Sequence, residues 1–146
     1  MNIQMNRQNP ITLFNFARQR GQFHRLKNLF SKHAHTLLDL EDITDRAAYS
    51  QRYDGLKSVS IDSIRGTRGN RVIDFDRHFY PLTDRIRDRW VSIAIARAKE
   101  IPLAVVRLIR VDESYYVIDG HHRISVARTL GEVAVDAEVT VLEMSK

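Results

Sequence analysis

The chain contains no cysteine and has no long apolar run. The absence of cysteine among 146 residues excludes disulfide bonds and thiolate chemistry. No stretch approaches the roughly 20 apolar residues that a membrane-spanning helix needs. The N-terminus also lacks the apolar segment of a secretory signal. These absences predict a cytoplasmic protein that does not enter a membrane.

The composition predicts one folded domain, or one domain with an appendage. Hydrophobic residues make up 43% of the chain and charged residues 28%, a balance that can fill a single core. Lys and Arg outnumber Asp and Glu by 23 to 18, which gives a net charge of +5. This excess favours phosphorylated or polyanionic partners, although it is modest for a dedicated DNA-binding protein.

One stretch, residues 115–131, predicts a strand, a tight turn and a helix in succession. Residues 115–118 are aromatic and β-branched, as in a strand. Asp119 and Gly120 form a typical turn dipeptide. From His121 the apolar residues follow helical spacing, and Gly131 lies where a helix takes its terminating glycine.

The start of this helix is a candidate anion site. The first N–H groups of a helix have no intrahelical acceptor, and the helix dipole places partial positive charge there. The residues predicted to bind phosphate are Gly120, His121, His122, Arg123 and Ser125. The alternative is a surface turn whose polar residues only cap the helix, with Asp119 as the N-cap. Both interpretations remain open at this stage.

Two residues of the turn are predicted to be catalytic. A carboxylate beside a phosphate is unfavourable unless a divalent cation lies between them or the carboxylate acts as a base. Asp119 is therefore predicted either to bind a divalent cation or to accept the proton of an acceptor hydroxyl. His122 can donate a hydrogen bond or a proton. The predicted catalytic residues are therefore Asp119 and His122, and the predicted metal ligand is Asp119.

The turn also carries a family resemblance. Residues 119–123, Asp-Gly-His-His-Arg, followed by Ile-Ser-Val-Ala, resemble the signature of the ParB/sulfiredoxin superfamily. The same five residues stand in the free-serine kinases of that superfamily. Three flanking segments, residues 59–64, 101–106 and 133–141, resemble strands of a ParB N-terminal domain. Together with the signature, the resemblance covers roughly residues 56–142.

The resemblance implies a nucleotide-binding protein that takes a nucleoside di- or triphosphate with Mg²⁺. It implies an NTP-hydrolysing enzyme or an ATP/ADP- or CTP-dependent phosphotransferase, for which Asp62 and Asp74 are the nearest candidates for a further acidic residue. Sulfiredoxin activity is excluded, since His121 occupies the position of that family's cysteine. We do not expect a ParB centromere-binding protein, because the signature leaves no room for the domains that follow it there. The alternative is a DNA-associated module without catalysis, and a homodimer stays open.

A second cationic segment follows the first predicted strand of the α/β domain. Residues 65–71 contain three arginines and two glycines. Glycine lets a backbone approach a ligand closely, and the arginine fork matches phosphate oxygens. Arg68 and Arg71 are therefore predicted to bind phosphate, although an ordinary exposed basic loop would look the same.

The pattern predicts an α/β fold of the α+β kind, with a small mixed sheet and an N-terminal helical extension. We place the extension at residues 1–55 and the ParB/sulfiredoxin-like domain at 56–146. The extension carries a basic face, which can bind nucleic acid, contact a partner or simply face solvent. His33 and His35 suggest a metal site, but residues two apart on a helix point to different sides, which disfavours chelation. The apolar stripe of the extension is predicted to be buried and includes Phe23, Leu26 and Leu29.

The remaining elements of the prediction follow from period and capping signals. Residues 39–42 predict the start of a short helix that reaches residue 48. A connector is expected over residues 49–56. We then predict strands over 57–64, 103–111 and 134–142, with residues 112–114 as a hairpin loop that leads into the strand at 115–118.

A helix is predicted over residues 83–99, capped by Thr83. Its buried stripe includes Trp90 and Ile93, and Arg89 is assigned to its solvated face.

Overall fold

A computed structural model describes residues 9–29, 36–43, 49–69 and 74–144 of the chain. These residues form four α-helices and a six-stranded mixed sheet, which confirms the predicted α/β class. The helices are α1 (Pro10–Asn28), α2 (Leu40–Ile43), α3 (Arg87–Ala98) and α4 (His121–Thr129). The strands are β1 (Leu38–Asp39), β2 (Tyr49–Ser60), β3 (Ile64–Thr67), β4 (Val106–Val111), β5 (Ser114–Asp119) and β6 (Ala134–Met144).

The sheet has the strand order β1-β3-β5-β4-β6-β2. Strands β1, β3 and β5 are mutually parallel, β4 runs antiparallel to β5, and β6 runs parallel to β4. The predicted hairpin after β4 is confirmed, because Val111 pairs with Ser114 across the two-residue turn Asp112-Glu113. Strand β5 therefore lies inside the sheet, and its C-terminal end carries the turn that leads into α4.

The main core lies between the sheet and the helices. Val117, Val139 and Leu108 from the sheet are fully buried together with Trp90 of α3, so Trp90 is a core residue as predicted. Helix α1 adds Leu13, Phe14 and Ala17 to the same cluster, and the ring of Phe14 meets that of Trp90 edge-on at 5.4 Å. The predicted burial of the apolar stripe of the extension is confirmed for these three residues.

The second half of α1 corrects the predicted burial. Phe23, Leu26 and Leu29 are 59%, 62% and 67% exposed. Helix α1 runs through Gly21, where a Cβ would lie 2.6 Å from the Pro81 carbonyl oxygen, so the glycine marks close packing. The helical period identified an apolar face on α1, but among the described apolar residues of that helix only those in its first half meet the core.

The boundary of the helical extension also needs correction. Residues 49–56, predicted as a connector, belong to β2, which pairs with β6 from Tyr49↔Met144 to Ser60↔Ala134. This edge strand is mostly exposed and polar, so it lacks the alternation that identifies a half-buried strand. Its stability comes from a distant partner strand. Residues 1–55 therefore include part of the sheet.

The predicted strand over residues 57–64 is interrupted. A 3₁₀ turn, Ile61–Ser63, separates β2 from β3. Strand β3 then begins at Ile64 and continues to Thr67, between β1 and β5. The first part of the predicted cationic loop is therefore strand, and the loop begins at Arg68.

Two elements begin later in the chain than predicted. Helix α3 begins at Arg87 and not at residue 83, and no side chain caps it, so the N-cap assigned to Thr83 was wrong. A turn precedes the helix, in which the Arg87 N–H donates to the Asp84 carbonyl at 3.1 Å. Strand β4 begins at Val106, after an exposed segment over residues 101–105.

The short helix α2 begins as predicted, since Asp39 Oδ1 accepts from the Glu41 N–H at 2.9 Å. Its predicted end at residue 48 lies outside the described residues, as do His33, His35 and Arg71. Within the described ranges, no helix is both long and apolar enough to span a membrane.

Candidate functional site

The strand–turn–helix predicted from the sequence is present. Strand β5 ends at Asp119, Gly120 has φ 117°, and α4 starts at His121. This left-handed conformation suits glycine, and a Cβ there would lie 2.9 Å from a methyl group of Val106. The turn is thus fixed by both the backbone angle and a close approach to β4.

The N-terminus of α4 has no side-chain cap. Gly120 occupies the N-cap position, and the first hydrogen bond of the helix runs from the Ile124 N–H to the Gly120 carbonyl at 2.9 Å. The capping role considered for Asp119 is therefore wrong. The end of α4 matches its prediction, because the N–H groups of Gly131 and Glu132 donate to Arg128 and Ala127 in a Schellman arrangement.

A cleft of about 260 Å³, here called the first cleft, lies at this N-terminus. Four elements supply its walls: the end of β3, the exposed edge of α3, the end of β5 and the first turn of α4. The described residues that line it are Arg68, Arg89, Ile93, Ile118, Asp119, Gly120, His121, His122 and Arg123. Six of the residues predicted to form the site thus line one cavity.

Arg123 is held in place by the protein. Its Nη2 donates to Asp119 Oδ2 at 2.9 Å, and its Nη1 donates to the carbonyl of Val105 at 3.3 Å and to that of Ala104. Its side chain is only 16% exposed. Asp119, at the end of β5, is therefore the ion-pair partner of Arg123, four residues later in the chain. The fork predicted for phosphate is shared with the backbone that precedes β4.

The two histidines are packed around Phe75. His121 Nε2 lies 2.6 Å from Thr67 Oγ1, and its ring is stacked on Phe75. The ring of His122 meets Phe75 edge-on at 5.3 Å. Both histidines are buried, so each is oriented by its neighbours at the back of the first cleft.

Ser125 and the acidic pair before α3 lie outside the first cleft. Ser125 is fully buried, and its Oγ accepts from Trp90 Nε1 at 2.8 Å, so its predicted contact with phosphate is not supported by its position. Asp74 is buried against Arg85 at 2.6 Å. Asp76 accepts the N–H groups of His78 and Tyr80. These side chains stabilise the fold around the site.

Arg89 and Ile93 were missed from the sequence as site residues. Arg89 was assigned to the solvated face of α3, and Ile93 to its buried stripe. Helix α3 packs beside α4, so the border between those two faces opens onto the first cleft. The available signal was the spacing of the two residues, because i and i+4 share one side of a helix.

The charge in the first cleft is predominantly positive. Three arginines, Arg68, Arg89 and Arg123, line the cleft together with one carboxylate, Asp119, and Asp119 is paired with Arg123. Among the described residues, no group of three or more His, Cys, Asp or Glu side chains could hold a metal ion. The remaining positive charge, together with the dipole of α4, favours an anion.

The chain was compared with protein-family models, with curated proteins and with solved structures, and no match was found.

Proposed function

We propose that the first cleft binds the phosphate groups of a nucleoside di- or triphosphate. The observation that carries this proposal is the convergence of three arginines from separate parts of the chain on the N-terminus of α4. Arg68 follows β3, Arg89 belongs to α3 and Arg123 belongs to α4. Arginine pairs with phosphate oxygens in a bidentate manner, and a helix N-terminus adds N–H donors and partial positive charge.

The size of the first cleft supports a phosphate chain as its occupant. Its volume is about 260 Å³, whereas sites that enclose a whole drug-sized ligand span about 300–1,000 Å³. The phosphates therefore fit inside, and the sugar and base lie at the mouth. The resemblance of residues 119–123 to the free-serine kinases and other ParB/sulfiredoxin proteins points to the same class of ligand.

Asp119 suits a magnesium ion that arrives with the nucleotide. Mg²⁺ is commonly bound through one or two carboxylates together with substrate phosphates and water, so a complete protein cage is not required. The Asp119 side chain is 56% exposed, and one of its oxygens already accepts from Arg123. The ion would neutralise phosphate charge, and Arg123 would keep the carboxylate in position.

A phosphotransferase is the second candidate, because Asp119 and His122 lie in the same cleft. Asp119 would accept the proton of an acceptor hydroxyl, and His122 would orient or protonate a phosphate oxygen. The proposal of nucleotide binding does not depend on this step.

Calorimetric titration of the full chain with ADP, ATP, CTP and GTP, each with and without Mg²⁺, tests the proposal. Arg89→Gln should weaken nucleotide binding by roughly 10- to 100-fold, since a charge-assisted hydrogen bond contributes about 1.5–3 kcal/mol. Arg87→Gln is the matched control, because it removes the same charge from the same helix outside the first cleft. Equal losses in both variants, or no binding of any of the four nucleotides, would contradict the proposal.

A further inference from the structure

A second and larger cleft lies at the opposite end of α4. Its volume is about 470 Å³, within the range of about 300–1,000 Å³ that is usual for small-molecule sites. Its walls are formed by five parts of the chain: the 3₁₀ turn, β1, β3, the turn at residues 77–78 and the last turn of α4. His121 lies in the first cleft and Arg128 in this second cleft, seven residues apart, which corresponds to roughly 10 Å along a helix.

Arginine side chains dominate the charge of the second cleft. Arg65, Arg77 and Arg128 line it, with Asp62 as the one carboxylate among the described lining residues. Asp62 Oδ1 accepts from Arg128 Nη2 at 2.6 Å, and this contact holds the pKa of Asp62 below its usual value. Arg65 and Arg77 form no ion pair within the described part of the chain. Among the described residues, two positive charges of this cleft are therefore not balanced by a carboxylate.

Arg128 is itself incompletely bonded. Its Nε is buried and has no hydrogen-bond partner among the described residues. The partial negative charge expected at the end of α4 is reduced, because the carbonyls of Ala127 and Arg128 accept N–H groups from the Schellman turn. The end of the helix thus gives little opposition to an anion.

His78 contributes orientation and no charge. Arg77 Nε donates to His78 Nε2 at 3.3 Å, which requires an unprotonated nitrogen. Burial, helped by His24, Arg77 and Arg128, lowers the pKa of His78 to about 4, so the ring is neutral at pH 7. The positive charges of Arg77 and Arg128, which disfavour a cation on His78, also favour an anion beside it.

The second cleft also has an apolar wall. Leu38 and Ile64 line it, and Leu38 remains 46% exposed. An occupant that covers Leu38 would remove apolar surface from water, which is favourable at roughly 25 cal/mol per Å². A bare inorganic ion would leave this wall uncovered.

We infer that the second cleft binds a small organic anion, namely a phosphate monoester or a carboxylate attached to an apolar group. Arg65 and Arg77 supply the charge, Arg128 forms the floor, and Leu38 with Ile64 receives the apolar group. The site does not depend on nucleotide binding at the first cleft, because the two clefts share no lining residue among those described.

Titration of the full chain with phenyl phosphate, followed through backbone amide shifts, tests the inference. Saturable shifts are expected at residues 64–65, 77–78 and 128. The double variant Arg65→Gln/Arg77→Gln should bind at least about tenfold more weakly, because two charge-assisted contacts are lost. The matched control is Arg25→Gln/Lys27→Gln, which removes two exposed charges from α1 and should leave the affinity unchanged.

Two further probes identify which part of the anion is recognised. Inorganic phosphate should bind more weakly than phenyl phosphate, and Leu38→Ser should reduce that difference. Benzoate carries a carboxylate in place of the phosphate of phenyl phosphate. Comparing the affinities of the two compounds shows which anionic group the arginines prefer. Shifts confined to residues 120–123, equal losses in the two double variants, or no saturable shift with any probe would overturn the inference.

Discussion

Trp90 Nε1 donates a 2.8 Å hydrogen bond to Ser125 Oγ and thereby joins α3 to α4 inside the core. Both helices line the first cleft, with Arg89 beside Trp90 in sequence and Arg123 two residues before Ser125. The hydrogen bond therefore fixes the spacing of two arginines without touching a ligand. Ser125 acts on the site through the position of α4.

Ser125→Ala should destabilise the fold. The change leaves the buried indole N–H without its acceptor, which costs about 1–3 kcal/mol of the free energy of unfolding. Urea denaturation measures this loss, and exposed Ser92→Ala on α3 should change the free energy by less than about 0.5 kcal/mol. A stable Ser125→Ala protein with greatly reduced nucleotide affinity would instead restore the direct phosphate contact predicted from the sequence.

The packing of α1 on the domain can be tested with two residues of one type. Phe14 is 1% exposed and Phe23 is 59% exposed on the same helix. Phe14→Ala should lower the free energy of unfolding by about 3–5 kcal/mol, because it opens a cavity beside Trp90. Phe23→Ala should change it by less than about 0.5 kcal/mol. Similar losses in both variants would mean that the second half of α1 is covered in solution.

The sequence predicted the features that are set locally. The turn at Gly120, the glycine at the end of α4 and the hairpin after β4 depend on neighbouring residues, and each was found where it was predicted. Residues 49–56 of strand β2 were not predicted as strand, because these mostly polar residues are held by pairing with β6 about 80 to 95 residues away. Pairing between distant segments has no local signal.

The composition of the site was partly predictable for the same reason. The residues of the signature turn could be assigned to one cavity, but the entry of Arg89 depends on how α3 packs beside α4. Likewise, the exposure of Phe23 depends on where the domain ends beneath α1, which a helical period does not specify. The helical spacing that placed Ser125 near the signature did not show that Trp90 would bury it.

Gly120→Ala should be more costly than Gly69→Ala. The two glycines have nearly the same backbone angle, φ 117° and 115°, but among the described residues only Gly120 of this pair has side-chain atoms close to where a Cβ would stand. Both changes incur backbone strain, and Gly120→Ala adds overpacking against Val106 of about 1–3 kcal/mol. Thermal unfolding compares the two directly. Equal destabilisation would show that the contact with Val106 relaxes freely.

Asp119→Asn should separate the magnesium effect from the binding of phosphate. The amide oxygen still accepts from Arg123, while the negative charge beside the phosphates is lost. Metal-free ATP should therefore bind more tightly than to the wild type, and the gain from Mg²⁺ should fall by about tenfold, as expected when a charged ligand is lost. Exposed Asp136→Asn on β6 serves as the control. An undiminished magnesium effect would remove Asp119 from the metal site.

Asp76 should make stability depend on pH in a direction opposite to that of His78. Burial raises the pKa of Asp76 to about 6, so the folded state binds its proton more tightly than the unfolded state. Ionisation of Asp76 therefore costs stability as the pH rises from about 4 to about 6. Burial lowers the pKa of His78 to about 4, so the unfolded state binds that proton more tightly than the folded state. His78 therefore makes the folded state more stable as the pH rises over the same window. The two effects largely cancel in the wild type.

Asp76→Asn exposes the cancelled contribution. Its amide oxygen can still accept from the N–H groups of His78 and Tyr80, but nothing ionises at this position. A pKa raised from 3.8 to about 6 corresponds to about 3 kcal/mol, so the variant should gain up to about 3 kcal/mol relative to the wild type between pH 4 and pH 7. Urea denaturation of both proteins across this range provides the measurement. A difference between them that stays constant with pH would mean that Asp76 is ionised in the folded state throughout.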